Sequence, residues 1–344
     1  MANVTIKDIA NKANVSSTTV SRVLNNNGYV KDETRKIILD TIKEMNYVPN
    51  AIARSLSKCQ TNIIGVMVPD LSNPFFSEVV KGISVVADKN DLNIILCDTN
   101  ENLLDKEIKY LKMLKEQRIR GLIITPTSED NKYNSEYLTL LEGLGIPIVL
   151  VDRDVKHSSF DGVFVDNIKG SFDGTEALIK AGHKKIAIIA GPTTSKPGRD
   201  RLRGYKKALL KYNIPIKDEY IVFGDFKMES GYDITKNLLK MEVPPTAIFA
   251  SNNMMTLGCL KALGHANIRV PEDIAVLGFD EIEDLNILDL NISVVSRPTF
   301  KMGRIAMEIL REKIEVNPTK NISASQRLTL TPKLVLKGSE RYFK

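Results

Sequence analysis

Residues 4–30 read VTIKDIANKANVSSTTVSRVLNNNGYV, and this run decides the architecture of the N-terminal end. Thr5 stands where a helix N-cap belongs, Asp8 three residues later completes a capping-box pattern, and Ile6, Ile9, Ala10 and Ala13 follow at helical spacing. After a break at Asn14-Val15, Ser16 offers a second N-cap. Val20, Val23 and Leu24 then form the apolar face of a second helix, whose other side presents Thr18, Ser21, Arg22 and Asn25. Asp32 opens a third helix, with Ile37, Ile38, Thr41, Ile42 and Met45 as its inward stripe and Asn46 and Pro49 as its stop. Two helices joined by a tight turn and backed by a third make a helix-turn-helix. Small polar groups and one arginine on the second helix suit a major groove, where bulk obstructs approach and hydrogen bonds read base edges. A three-helix packing module with an ordinary wet face fits the same pattern.

Working outward, charge supports the first reading. The chain has 344 residues and a net charge of +6, and up to residue 60 nine Lys and Arg stand against five acids, so +4 of the excess lies at this end. At roughly 150 residues per domain the length calls for two or three units. Cys59, Cys97 and Cys259 are far apart and form no CxxC, the usage of a reducing compartment, where each reads as a small buried residue. There is neither a basic head followed by a greasy run nor an apolar stretch long enough to span a bilayer, so the expected location is the cytoplasm, with no membrane partner.

The run 4–30, followed by TRKIILDTIKEMNYVPNAIARSL at 34–56, resembles the DNA-binding headpiece and hinge of the lac/gal repressor family of bacterial transcription regulators. The resemblance implies backbone-positioning contacts to DNA from Thr5, Ser16, Ser21, Asn25, Tyr29 and Thr34, and base reading by Ser17, Thr18 and Arg22. It further implies a hinge helix near residues 50–57 that forms when two copies meet on DNA, with Asn50 and Ala53 facing the duplex and Leu56 wedged into the minor groove. So short a helix is marginal by itself.

From Thr61 the pattern changes to short branched runs alternating with amphipathic helices, the signature of a parallel sheet covered on both faces. One such series runs to Val151 and a second begins after Phe164, giving two doubly wound lobes with a cleft where strand ends converge. No GxxxxGK[ST], HExxH or GxSxG is present, and His157, His183 and His265 are too scattered to make a site, so neither an enzyme nor a metal or cofactor site is expected. His183, beside Gly182 in a helix-to-strand turn, reads as structural.

The segments GVMVPDLSNPFFSEVVKGI, VDNIKG, LIKAGHKKIAIIAGP, FASNNMMTLG, VPEDIAVLGFDE and LTLTPKLVLKGS are similar to the periplasmic-binding-protein-like core of the same family, so the resemblance covers essentially the whole chain. It implies three crossings between the lobes, near 161–164, 291–295 and 326–329. The expected organisation is a headpiece at 1–49, a hinge at 50–60 and a core at 61–344, with lobe one at 61–162 and 296–326 and lobe two at 163–290 and 329–344. By similarity Asp152, Arg201, Asn252 and Asp280 match positions that hydrogen-bond polyol or base-like effectors, with Phe75 and Phe226 as stacking walls. Two departures stand out: Asn252-Asn253 where the family commonly has Asn-Asp, and Arg297-Pro298 in place of Gln-Pro.

The expectation is therefore a repressor of a carbohydrate-use operon that acts as a homodimer without a leucine-heptad extension. It would bind palindromic double-stranded DNA and answer to a small effector, a sugar or sugar derivative. The rival reading is a small-molecule binding protein whose N-terminal helices serve association. Against it, Ser16 to Asn25 carries none of the aromatic residues or exposed leucines that a protein-contact helix would show.

Overall fold

The computed structural model describes residues 4–24, 27–47, 61–100, 104–127, 134–287, 289–315 and 325–342. The chain divides into two compact units, residues 1–61 and 62–344.

The first unit holds α1 (Ile6–Lys12), α2 (Ser17–Leu24) and α3 (Asp32–Glu44). The capping box at Thr5 is formed in both directions: the Thr5 amide donates to Asp8 Oδ2 at 2.8 Å and the Asp8 amide donates to Thr5 Oγ1 at 3.4 Å. Ser16 accepts from the Thr19 amide at 3.1 Å and so caps α2. Ile9, Val20 and Ile38, one from each helix, are fully buried and seal the three together. Ile37 departs from the expected stripe. It is 53% exposed, because the inward face of α3 runs through positions 38, 41, 42 and 45 and leaves position 37 on its flank.

The second unit contains two six-stranded sheets. In chain order come β1 (Ile63–Val68), α4 (Pro74–Lys89), β2 (Asn93–Asp98), α5 (Leu104–Glu116), β3 (Leu122–Ile124), α6 (Asn134–Glu142), β4 (Ile148–Val151) and β5 (Asp161–Val165). Then follow α7 (Asn167–Lys180), β6 (Ile186–Ala190), α8 (Lys196–Lys211), β7 (Ile221–Phe223), α9 (Met228–Leu238), β8 (Ala247–Ala250), α10 (Asn253–His265), β9 (Ala275–Phe279), α11 (Glu283–Ile287) and β10 (Ser293–Ser296). The chain closes with α12 (Thr299–Glu315), β11 (Arg327–Leu330) and β12 (Lys333–Val335). The first sheet runs β11-β5-β4-β3-β1-β2, all parallel, and the second β12-β10-β9-β8-β6-β7, parallel except for β12. Strands β4, β5, β6, β8 and β9 are buried at every position, as parallel strands with both faces covered must be.

Three segments pass between the sheets, each a few residues later than the resemblance implied. β5 pairs with β4 and β11 along its length, so the first crossing follows Val165 and not 161–164. β10 remains in the second sheet to Ser296, which puts the second crossing at Arg297-Pro298. β11 belongs to the first sheet through Leu330, and Thr331-Pro332 makes the third. Proline explains two of these ends: lacking an N–H, Pro298 and Pro332 cannot continue a ladder.

Helix packing in lobe one is close. α4 and α12 approach so nearly that a Cβ on Gly82 would lie 2.2 Å from the Phe300 carbonyl oxygen, and one on Gly303 2.0 Å from that of Val79. His183 is buried in the turn after α7, its Nδ1 paired with Thr246 Oγ1 at 2.9 Å and its ring edge-on to Tyr342, a structural role as expected. Cys97 and Cys259 are buried thiols, pushed up by burial to about 11 and about 12. Among the described residues no helix is long and apolar enough to cross a membrane.

Candidate functional site

Two places gather the residues singled out above. On the first unit, Ser17, Thr18 and Arg22 stand exposed on α2, with Thr5 and Ser16 exposed at the caps and Ser21 and Thr34 half-buried. Tyr29 is 87% exposed, which no packing role explains. Arg22 lies across Gly28: a Cβ there would sit 3.6 Å from Arg22 Cδ, and the residue's φ of 81° belongs to glycine. The arginine stem thus runs close over the Gly28 backbone. Asn25, Asn50, Ala53 and Leu56 lie outside the described residues.

In the second unit, Phe75, Asp152, Arg201, Phe226, Asn252 and Asp280 all line one cavity at the carboxyl ends of strands from both sheets. Asp152 follows β4 and Asp280 follows β9, while Asn73 caps α4 by accepting from the Phe75 amide at 3.0 Å. Asp152, Phe226 and Asp280 all have φ between 65° and 74°, a left-handed conformation costly for side-chain-bearing residues, about 1–3 kcal/mol each. The phenylalanine is held there by Asn252, whose Nδ2 donates to the Phe226 carbonyl at 2.8 Å, and by Gly191, where a Cβ would meet the ring at 2.1 Å. Asn252 also caps α10 through the Met255 amide at 2.9 Å, so it acts as a brace for the cavity wall.

Arg201 is buried on α8. Its Nε donates to Asn167 Oδ1 at 2.9 Å, its Nη1 to the Ser251 carbonyl at 2.5 Å, and its guanidinium stacks 3.9 Å from the centre of the Phe279 ring. Burial, then the positive charge of Arg297, pull it below the ordinary arginine value, against the attraction of Asp280 and Asp152.

Both sequence departures fall in this cleft. Asn253, uncharged where the family commonly has Asp, donates from Nδ2 to Asn73 Oδ1 at 2.9 Å and ties α10 of one lobe to α4 of the other. Arg297, at the second crossing, reaches into the cavity. Its Nε and Nη2 hold Asp280 at 2.5 and 2.6 Å, its Nη1 holds Asp152 at 2.5 Å, and Phe75 covers its face with the guanidinium carbon 3.7 Å from the ring centre. Burial works against that charge, but Asp280 and Asp152 outweigh it and keep the group above its ordinary value. Arg297 leaves a void of about 20 Å³, room for about one water.

Sequence reasoning marked Arg297 as a departure and missed that it completes the site. It also missed Asn73 and Phe279. The signal available for Phe279 was its place in the strand leading into Asp280. Arg153, the residue after Asp152, lines the cavity too and donates to the Thr127 carbonyl at 3.2 Å.

Comparison with known proteins covers both units of the chain. Residues 5–50 match the model of bacterial regulatory proteins of the lacI family, and residues 61–338 match that of periplasmic binding proteins and the sugar binding domain of the LacI family. The HTH-type transcriptional repressor PurR of Proteus mirabilis is 35% identical over 337 residues, 97% of this chain and 96% of that protein. The lac repressor dimer solved bound to operator and the anti-inducer ONPF superposes with a TM-score of 0.86 at 27% identity, over 99% of this chain and 100% of that one. A complex of the transcriptional regulator CelR with cellobiose gives a TM-score of 0.73 at 29% identity, over 98% of this chain and 100% of that one. With residues 5–50 and 61–338 matched by the two family models and a relative 35% identical along nearly its whole length, the chain belongs to the lacI family of bacterial regulatory proteins, which are DNA-binding transcription regulators and not enzymes.

Proposed function

We propose that this protein is a cytoplasmic repressor of a carbohydrate-use operon whose affinity for a palindromic operator is set by a small effector, a sugar or sugar derivative, held between the two lobes. The observation that carries this reading is the convergence of six sequence-selected residues, Phe75, Asp152, Arg201, Phe226, Asn252 and Asp280, on one buried cavity. Carboxylates and a guanidinium offer the two-point hydrogen bonds that hydroxyl-rich ligands need, and the rings offer an apolar face to their C–H side. The presence of cellobiose in the CelR complex supports the sugar class.

On the DNA side, Arg22 reads a base with Ser17 and Thr18, while Thr5, Ser16, Ser21, Asn25, Tyr29 and Thr34 set the register on the backbone. Asn50, Ala53 and Leu56 belong to a hinge at residues 50–60 that couples a headpiece at 1–49 to the core. The lac repressor, solved as a dimer on operator, supports a homodimer here. Two-fold headpieces would then span half-sites about one helical turn apart, roughly 34–36 Å.

The test is a fluorescence anisotropy titration of the full chain against a palindrome recovered by selection and against its scrambled duplex, with and without candidate sugars. Binding to the palindrome tenfold or more tighter, shifted by a sugar, is expected. Equal affinity for both duplexes refutes the DNA-reading face, and a palindrome preference that no sugar derivative alters refutes the effector reading.

A further inference from the structure

Lobe one buries a carboxylate that is not part of the cavity lining. Glu107 stands on α5 and is 1% exposed. An acid so far from water persists where donors converge on it. Three do here: the Thr127 amide donates to Oε2 at 3.0 Å, the Thr127 hydroxyl donates to the same oxygen, and the Tyr137 hydroxyl, from α6, donates to Oε1. Thr127 lies just past the carboxyl end of β3, the end of a parallel strand that faces the crevice. Its other side is taken as well. Arg153 Nη1 donates to the Thr127 carbonyl at 3.2 Å and to that of Pro126 at 3.5 Å. The Pro126 carbonyl and the Thr127 amide are the two edges of one planar peptide unit, so Glu107 holds one edge and Arg153 the other.

We propose that Glu107 is a positioning residue for the effector cleft: it fixes the Pro126–Thr127 peptide, and that peptide sets where Arg153 presents its guanidinium in the cavity wall. This rests on reading the cleft as the effector site and adds to it a residue that lies outside the lining. A peptide plane in a loop turns about its flanking bonds unless its polar edges are held, and Pro126, lacking an N–H, brings no donor of its own to hold it. Glu107 draws the Thr127 amide and hydroxyl toward α5, which leaves the two carbonyls to Arg153. Rotation of the plane therefore breaks both sets of bonds together. Volume does not account for the acid: a leucine at 107 fills similar space but leaves the Thr127 amide and the Tyr137 hydroxyl buried without that acceptor. Against the cost of burial, the charge of Arg153 favours the ionised form of Glu107, which accepts all three bonds. Arg153 carries the effect into the cavity, since it lines the wall beside Asp152 and is itself buried. The hydrogen-bonding face that lobe one offers an effector is thus set in part from α5 and α6.

Phenylglyoxal labelling of arginines in the full chain, read residue by residue by mass spectrometry, tests this. Arg153, Arg201 and Arg297 are buried alike, at 6%, 2% and 7% exposure, and all three should label slowly in the parent. Glu107→Ala should speed the labelling of Arg153 by about tenfold, the effect of lost buried bonds on a local opening, while Arg201 and Arg297 stay near their parent rates. Glu107→Gln should return Arg153 to the parent rate, because the amide oxygen accepts from Thr127 and the amide nitrogen donates to the Tyr137 oxygen. Should the alanine form fail to fold, Thr127→Val takes its place: it keeps the shape, removes the hydroxyl bond, and should speed Arg153 alone by several-fold. An Arg153 rate unchanged in the folded variant overturns the proposal. So does a rise shared by all three arginines, which would make Glu107 a support of the fold and nothing more, and so does a glutamine form that labels like the alanine form. The labelling needs neither effector nor operator. A cleft that answers to no sugar derivative therefore refutes the effector reading by a separate result, and the arginine rates judge this one.

Discussion

Asp280→Asn tests the buried charge set at its most informative point. The substitution removes one charge and keeps the shape, and asparagine accepts the φ of 74° at least as well as aspartate, so the backbone is not the perturbation. The side chains of Arg297 and Asp280 are 3% and 4% exposed, and the contact is two-point, at 2.5 and 2.6 Å. Removing one partner of a buried pair costs about 3–5 kcal/mol. Here Arg297 keeps Asp152 at 2.5 Å, which places the expected loss near the lower end, about 3 kcal/mol. Arg297→Gln should cost at least as much, since it strands two acids. The double variant, neutral on both sides, should be less destabilised than the sum of the two by about 2 kcal/mol. Urea unfolding of all four forms, followed by circular dichroism, measures the cycle. If Asp280→Asn lies within about 0.5 kcal/mol of the parent, or the two losses simply add, the ion set is not what holds the lobes closed.

On the DNA side, Arg22→Ala should lose about 1–3 kcal/mol of discrimination and relax one base position, read by anisotropy against single-base variants of the selected palindrome. In lobe one, Gly303→Ala forces a Cβ against the Val79 carbonyl oxygen at 2.0 Å, so the core should be destabilised by about 1–3 kcal/mol, visible as a lower melting temperature with lobe two unaffected in sequence. Burial holds the Glu107 carboxyl above its ordinary value of 4.5, despite bonds from Thr127 and Tyr137 and the charge of Arg153. A raised folded value means stability fully present below the unfolded value and lost as pH rises through the folded one. The difference between parent and Glu107→Gln in urea titrations should therefore shrink the parent's advantage as pH climbs from about 4 toward neutrality, and a difference independent of pH refutes it.

Much of this was legible in the sequence because it is local. The capping box at Thr5 and Asp8, the Ser16 cap and the apolar runs of β6 and β9 each depend on neighbours within a few positions, and all are found where the residues called for them. Ile37 was misjudged because one turn of α3 offers several apolar residues and spacing alone does not say which face turns inward. The crossings were misplaced by a few residues because a strand's end is set by its hydrogen-bond partners, and β5 finds β11 from the far end of the chain. The charge set in the cleft was illegible for the same reason in stronger form. Asp152 and Arg297 meet across 145 positions, and a local reading of Arg-Pro at 297–298 could register that a glutamine had been replaced without knowing which acids it would face.

The grip on Arg297 is lopsided. Asp280 and Arg297 ride on adjacent strands of one sheet, where the Asp280 amide donates to the Val295 carbonyl at 2.9 Å, so any swing of the lobes carries them together. Asp152 belongs to the other lobe and is reached by a single bond. Parting the lobes therefore does not dismantle the ion set; it subtracts one carboxylate from it and hands that carboxylate to water, leaving a neutral pair behind. Were the lobes to part, a change at position 152 would shift the balance between the two arrangements without disturbing the Asp280–Arg297 pair.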